Sequence, residues 1–478
     1  MRDILFIYSA RFPVALTYML QSTEYKAKPY LKWLWRTSNF RAVQHRRTLK
    51  RTSYARMLLL ALTTGMATEL LAGLVFVALG IATGHIWYWM VGIPLIIAYP
   101  IVWSHLVIVP LELGRLYIVE PRQNKQIKAS AKTFAKHSAI KIAVAGSYGK
   151  TTMKEVLKTV LSEGKKVAAT EANHNVAIEH AKFARKLEGN EEVLIIEYGE
   201  GAPGDVVRFT SITKPTHAVI TGLAPAHLDQ YKTLDAAAKD IFSLADSVSP
   251  DNVYVNADSL AAKPYIRRGN IGYSVAGAGD WKARDIKIEV NKTSFNLVNE
   301  DRSLKLTSRL LGKHQVGVLA AAALIAMQLG LSDKQIITGI ANTAPFDHRM
   351  QPYKLGGAWI IDDTYNGNID GIKAGTMLLK ELKATRKIYV TPGLVDQGKE
   401  NIKIHQQMGR YIAAAKPDVV ILMQNSTTDS IKQGLIENDY VGELKIETDP
   451  LAFYTNLDQF AASGDLVMMQ NDWPDNYA

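Results

Sequence analysis

Residues 140–161 read Ile140-Lys-Ile-Ala-Val-Ala145-Gly146-Ser147-Tyr148-Gly149-Lys150-Thr151-Thr152-Met153-Lys-Glu-Val156-Leu157-Lys-Thr-Val160-Leu161. The first six form a short apolar, β-branched run. Met153, Val156, Leu157 and Val160 then recur at helical spacing, so the stretch predicts strand, loop, helix. Such a loop turns backbone N–H groups and a helix N-terminus toward phosphates, Lys150 adds a point charge near the β/γ oxygens, and Thr151 suits Mg²⁺. The full G-x-x-x-x-G-K-[ST] pattern is not met, because Val144 stands at its first glycine.

Outward from this loop, apolar strands at Val193–Glu197, Ala218–Thr221 and Val253–Asn256 alternate with helical patterns, ending in an alanine-rich helix at 314–329. That alternation predicts a mostly parallel α/β sheet. Shorter alternating pieces over 271–310 predict an antiparallel insertion. After Pro345 a further α/β unit is expected, with strands at Ala358–Asp362, Lys387–Thr391 and Val419–Met423. The charged, polar stretch from Glu120 to about Lys136, punctuated by Pro121, is expected as a link, and the boundaries drawn are 125–343 and 344–478.

The chain has 478 residues and no cysteine, so disulfide scaffolds, Cys-ligated metals and thiol nucleophiles are excluded. The net charge of +11 is local: residues 1–56 hold twelve Lys and Arg against Asp3 and Glu24, and so carry ten of those charges. This basic block precedes an apolar stretch, which favours a juxtamembrane or interfacial segment facing anionic lipid over a nucleic-acid arm. No nucleic-acid partner is expected. Met57–Thr83, with Glu69 its only ionisable residue, and Ile86 to about Leu111, with Trp87, Tyr88, Trp89 and Trp103 near its ends, predict a transmembrane helical hairpin over 57–112. Buried helices of a soluble domain are the alternative. Arg and Lys on both flanks place the remainder in the cytoplasm, tethered to the cytoplasmic membrane. The apolar stretch at 4–20, broken by Arg11 and Pro13, is expected as an interfacial helix and not a cleaved signal.

From about 125 to 410 the chain resembles the ATP-dependent Mur ligases, which add amino acids or dipeptides to peptidoglycan precursors. Gly146-Ser-Tyr-Gly-Lys-Thr-Thr152 is similar to their shortened phosphate loop. Thr170-Glu-Ala-Asn173-His-Asn175, Ile195-Ile-Glu197-Tyr-Gly199 with Pro203-Gly204, Pro215-Thr-His-Ala-Val-Ile-Thr221 with Ala226-His227-Leu228, and Gly312-Lys-His314-Gln315 resemble later family motifs in order. Asp362-Asp363-Thr-Tyr365-Asn366-Gly-Asn368 and His405 resemble the branch that adds D-alanyl-D-alanine. The implied fold is a P-loop central domain and a Rossmann-like C-terminal α/β domain, preceded here by the hairpin in place of the family's UDP-binding domain.

The resemblance implies ATP bound by Gly146, Ser147, Gly149, Lys150, Thr151, Thr152, Gln315, Arg349, Asp363, Tyr365 and Asn366. Substrate would be met by Asn173, Asn175, Asn368 and His405, and Mg²⁺ by Thr151, Glu197 and His227. Lys150, Glu197, His227 and Lys239 are the expected catalytic residues. A carboxylate is a poor electrophile, so phosphoryl transfer from ATP must first make an acyl phosphate for an amine to attack, and neutralising the reactants' charge is the main requirement. Some positions depart from the family. Ile241 stands where a metal-ligating carbamylated lysine belongs, with Lys239 nearby. Gln315 replaces an adenine-contacting asparagine, and the tail after Gly464 lacks the usual lysine-glycine-serine-arginine. The expected activity is an amide ligase of cell-wall precursor synthesis, monomeric, joining D-alanyl-D-alanine to a muramoyl peptide. The alternatives are a tethered ligase for a lipid-linked precursor or a polymer such as polyglutamate, and an inactive nucleotide-binding scaffold.

Overall fold

In the computed structural model, Ile140–Ala145 lies inside a ten-stranded sheet, parallel to Val193–Glu197 on one side and His217–Ile220 on the other. The structure describes residues 4–23, 25–37, 40, 49–172, 174–224, 228–300, 302–365, 367–394, 397 and 400–471. The chain separates into two units, Met1–Lys125 and Gln126–Ala478.

In the larger unit, Val167–Ala169 forms one sheet edge beside Val193–Glu197, while Val253–Asn256 and Ile271–Ser274 extend the parallel run beyond His217–Ile220. Helices cover both faces, which is why these strands read as unbroken apolar runs. Ile142 and Val144 pack with Met153, Leu157 and Val160 of the helix Lys150–Leu161 and with Val316 and Leu319 of His314–Gln328. Ala143 and Ala145 face the opposite layer, with Phe134, Phe183, Phe209 and Ile241. The strand's alternation thus divides one run between two cores. Antiparallel pairing starts at Gly277–Ala278 and continues through Trp281–Glu289, Lys292–Asn299 and Arg302–Ser308. The expected antiparallel insertion thus begins on Ile271–Ser274, which is parallel to Val253–Asn256 on one edge and antiparallel to Gly277–Ala278 on the other, with Tyr273 buried in the core.

A second sheet runs Gln351–Leu355, Ala358–Asp363, Asp465–Gln470, Arg386–Thr391, Val419–Met423, Glu443–Glu447, parallel except for the first pair. Glu120–Lys136, read from sequence as a polar link, is a helix. Pro121 follows directly on the π-helical turn Arg115–Val119, whose wider hydrogen-bonding pattern runs into this helix. Ile127, Ser130 and Phe134 recur at helical spacing and are buried.

In the smaller unit, Ser53–Thr83 and Ile86–Leu106 form an antiparallel pair. Glycines bring them close: Trp103 lies over Gly65, Gly73 meets Gly92, and Trp89 lies over Gly80. Small residues of this kind let two helix backbones approach closely. Gly84, at φ 70°, ends the first helix in the left-handed conformation that glycine adopts freely. Both helical runs are long and apolar enough to cross a membrane. Phe12–Ser22 and Ala27–Arg36 pack on the pair through Leu16, Leu20 and Tyr30, and the Tyr30 hydroxyl donates to the Ser104 carbonyl at 2.8 Å.

Candidate active site

The helix Lys150–Leu161 begins at Gly149, whose φ of 72° makes the sharp entry from the loop. Gly146, at φ 140°, passes so close to Thr221 and the Gly222 backbone that a Cβ would collide with them. Ser147 through Thr152 line a cleft of about 670 Å³ between the two sheets of the larger unit. The first N–H groups of the helix have no acceptor within it, so the cleft floor is a ready anion site.

Lys150 Nζ donates to the Gly146 carbonyl at 2.5 Å and pairs with Glu200 Oε2 at 2.7 Å. Thr151 Oγ1 donates to Glu197 Oε1 at 3.2 Å, and Asn175 Nδ2 reaches the same oxygen at 3.3 Å. Glu197 is buried at the end of its strand, held by its N–H donating to Thr170 Oγ1 at 3.1 Å. Lys154, one helical turn beyond Lys150 and fully buried, lies 3.4 Å from Glu197 Oε2 and donates to the Ala172 carbonyl. A hydroxyl and a carboxylate side by side are hard oxygen donors of the kind Mg²⁺ takes.

Across the cleft the Arg349 guanidinium stacks over the Tyr365 ring at 4.4 Å. Asp363 accepts from Gln470 Nε2 at 2.7 Å and from the Met350 N–H at 3.2 Å, while burial pushes its carboxyl up to about 7. Asn368 lines the cleft and caps the helix Ile369–Glu381 by accepting from the Gly371 N–H at 2.8 Å. Gln315 is buried at the cleft wall; its Oε1 has no hydrogen-bond partner among the described residues, and its Nε2 lies 2.9 Å from His314 Nε2. An orphaned amide oxygen suits the exocyclic amine of a purine.

The structure brings Gly149, Lys150, Thr151, Thr152, Asn175, Glu197, Gln315, Arg349, Asp363, Tyr365 and Asn368 around this cleft, with Gly146 at its loop. Asn173, His227 and Asn366 lie outside the described residues. Two expectations need correction. Lys239 is on the outer face of its helix, 72% exposed and paired with Asp235 at 2.7 Å, because the inward positions go to Ala237, Ala238 and Ile241. His405 is fully buried away from the cleft lining; its Nε2 accepts from the Leu394 N–H at 2.9 Å, and its Nδ1 lies 2.7 Å from the Asn401 carbonyl. Both ring nitrogens are engaged within the fold, so neither is left for substrate. The sequence reading missed Lys154, Glu200, Asp258, Asp370 and Lys373; Glu200, three residues past Glu197 at the same strand end, was the most legible of them.

The Mur ligase middle domain family matches residues 144–326, and the family described as Mur ligase, glutamate ligase domain matches 348–470, together well over half of the chain. The chain belongs to the Mur ligases. It is 28% identical over 290 residues to UDP-N-acetylmuramoyl-tripeptide--D-alanyl-D-alanine ligase of Escherichia coli (strain K12), covering 59% of this chain and 63% of that one. With the ligase of the same description from Mycobacterium leprae (strain TN) it is 26% identical over 365 residues, covering 69% and 70%. The match thus spans under two thirds of the Escherichia coli protein's length. MurF from Acinetobacter baumannii superposes with a TM-score of 0.63 at 21% identity, covering 73% of this chain and 77% of that one. MurF ligase from Thermotoga maritima, solved in complex with ADP, gives 0.62 at 20% identity, covering 73% and 80%. The fold is that of the Mur ligases.

Proposed function

We propose that the chain is an ATP-dependent ligase that joins D-alanyl-D-alanine to a muramoyl peptide through an acyl phosphate. The observation that carries this is the convergence of Lys150, Thr151 and Glu197 on a phosphate-type loop at one wall of a cleft whose other wall presents Arg349, Tyr365 and Asp363. The names of its sequence relatives supply the substrates. Bound Mg²⁺ would supply charge neutralisation of the polyphosphate, with Thr151 and Glu197 as its protein donors.

In this reading the acceptor carboxylate oxygen attacks the γ-phosphorus, the bond to the β-phosphate breaks, and ADP leaves. The amine then attacks the acyl carbon, expels phosphate and loses a proton to form the amide. Lys150 holds the transferring phosphoryl group, and the Gln315 amide and the Arg349–Tyr365 stack hold the base. His227 remains a proposed metal ligand, Asn173 and Asn175 proposed substrate contacts, and Asn366 a proposed nucleotide contact. ADP release that requires both a muramoyl-tripeptide acceptor and D-alanyl-D-alanine supports the assignment; ADP release indifferent to the amine contradicts it.

The apolar helix pair favours a second reading of the acceptor. We propose that 57–112 spans the cytoplasmic membrane, with the ligase domains 125–343 and 344–478 on the cytoplasmic side. A tether raises the local concentration of a lipid-linked acceptor and does little for a freely diffusing one. A chain starting near Asn124 should then lose about 10²-fold activity on vesicle-borne acceptor. Equal activity on vesicles would remove the lipid-linked reading, leaving the UDP-linked one.

A further inference from the structure

The phosphate side of the cleft is charge-balanced. Lys150 lines it with Glu197 and Glu200, and Lys154, fully buried behind them, is paired with Glu197 at 3.4 Å and with Glu155 at 3.2 Å. Glu200 is the unusual member. Its side chain is 4% exposed, it lies 2.7 Å from Lys150 Nζ, and it lines the cleft beside Ser147, Thr151 and Asn175. Lys150 is 12% exposed, and the Gly146 carbonyl takes another of its three protons. The ammonium on which the phosphate reading depends is therefore neutralised by a neighbouring carboxylate that little water can screen.

A bare polyphosphate entering this loop meets no net positive side-chain charge, and it brings its own negative charge against Glu200. A polyphosphate already complexed to a divalent cation meets a weaker repulsion, and the carboxylates of Glu197 and Glu200 then favour it. We propose that Glu200 is a specificity-determining residue that makes the loop accept a metal-complexed nucleoside polyphosphate and reject the metal-free one. This rests on the reading of 146–152 as a phosphate loop, and adds to it the ionic form of nucleotide that the loop selects.

The test is calorimetric binding to the full-length chain and its Glu200→Gln and Glu200→Asp variants, using ATP with excess Mg²⁺, ATP with EDTA, and adenosine. Glu200→Gln keeps shape and hydrogen bonding but removes the charge. It should tighten metal-free ATP by about 10-fold or more, as loss of one close like charge allows. It should change Mg²⁺-ATP by about 3-fold or less and leave adenosine unaltered, while Glu200→Asp stays near wild type. Unchanged metal-free ATP affinity in Glu200→Gln with a native circular dichroism spectrum overturns the proposal. So does an equal shift for adenosine, which would mean a general change of the cleft. Should Glu200→Gln fail to fold, a wild-type ratio of metal-free to Mg²⁺-bound affinity in Glu200→Asp supports the proposal if Glu200→Ala has lost it, and overturns it if Glu200→Ala retains it. Wild-type chain that binds no nucleotide in any form would overturn the phosphate-loop reading itself, a result distinct from the others.

Discussion

Lys154 Nζ and Glu197 Oε2 lie 3.4 Å apart with both side chains withdrawn from water, so the helix that begins at the phosphate loop is ionically joined to the strand end that carries the site's carboxylate. Lys154 also donates to the carbonyl of Ala172, a residue held at φ 41°. Three segments distant in sequence thus meet at one ammonium. Breaking a buried pair by removing one partner leaves the other charge uncompensated.

Lys154→Met should therefore destabilise the larger unit by about 3 kcal/mol. Adding Glu197→Gln should recover part of this, because the buried carboxylate is then uncharged, while Glu155, the other partner of Lys154 at 3.2 Å, is partly exposed. Denaturant midpoints of the four proteins check it. Strictly additive losses would show that the two groups do not interact.

Lys150→Ala should abolish ATP turnover and weaken ATP binding by about 10- to 100-fold, the range for a charge-assisted hydrogen bond of about 1.5–3 kcal/mol. Circular dichroism should be unchanged, since Lys150 lines the cleft and belongs to neither hydrophobic core beside it. Wild-type affinity in this variant would remove the loop from the nucleotide site.

Asp363 gives a pH signature. Burial raises its carboxyl to about 7 in the folded chain, above the 3.8 of an exposed aspartate. The folded state therefore holds a proton that the unfolded state has released, so this stability is fully present below the unfolded pKa and is lost as pH rises toward 7. Between pH 5 and 7 stability should fall with a slope approaching about 1.4 kcal/mol per pH unit from this group. Asp363→Asn should remove that slope. Equal slopes in both proteins, from denaturation at several pH values, would contradict it.

The helix pair has a topological test that the cysteine-free chain makes clean. Gly84→Cys should react with an impermeant maleimide added outside intact cells, and Asn124→Cys only after permeabilisation, if both helices cross with the flanks inside. Labelling of both from the same side would exclude a two-pass hairpin.

Much of the architecture was legible because its signals are local. The loop from Gly146 to Thr152 is contiguous, and Glu197 ends an apolar run of strand length. What was not legible depends on which way a helix faces. Lys154 reads as one more surface lysine until Glu197 and Ala172 are folded against it. Lys239 was only the nearest lysine to Ile241, where the family's lysine belongs, and the helix Leu234–Phe242, capped by Thr233, buries Ile241 and turns Lys239 to solvent. His405 sits at a suggestive spacing, yet its helix directs it into the core, where the Leu394 N–H donates to it. Glu120–Lys136 looked like a linker because its polar residues outnumber Ile127 and Phe134, the two apolar anchors that pack it.

The most direct test of the central claim is the fate of an acceptor oxygen. The full-length chain is supplied with ATP, D-alanyl-D-alanine and a muramoyl tripeptide labelled with ¹⁸O in its terminal carboxylate, and the released phosphate is analysed by mass spectrometry. Ligation through an acyl phosphate predicts one ¹⁸O in each phosphate released, in step with ADP and amide. Unlabelled phosphate, or release of AMP and pyrophosphate in place of ADP, would contradict the account.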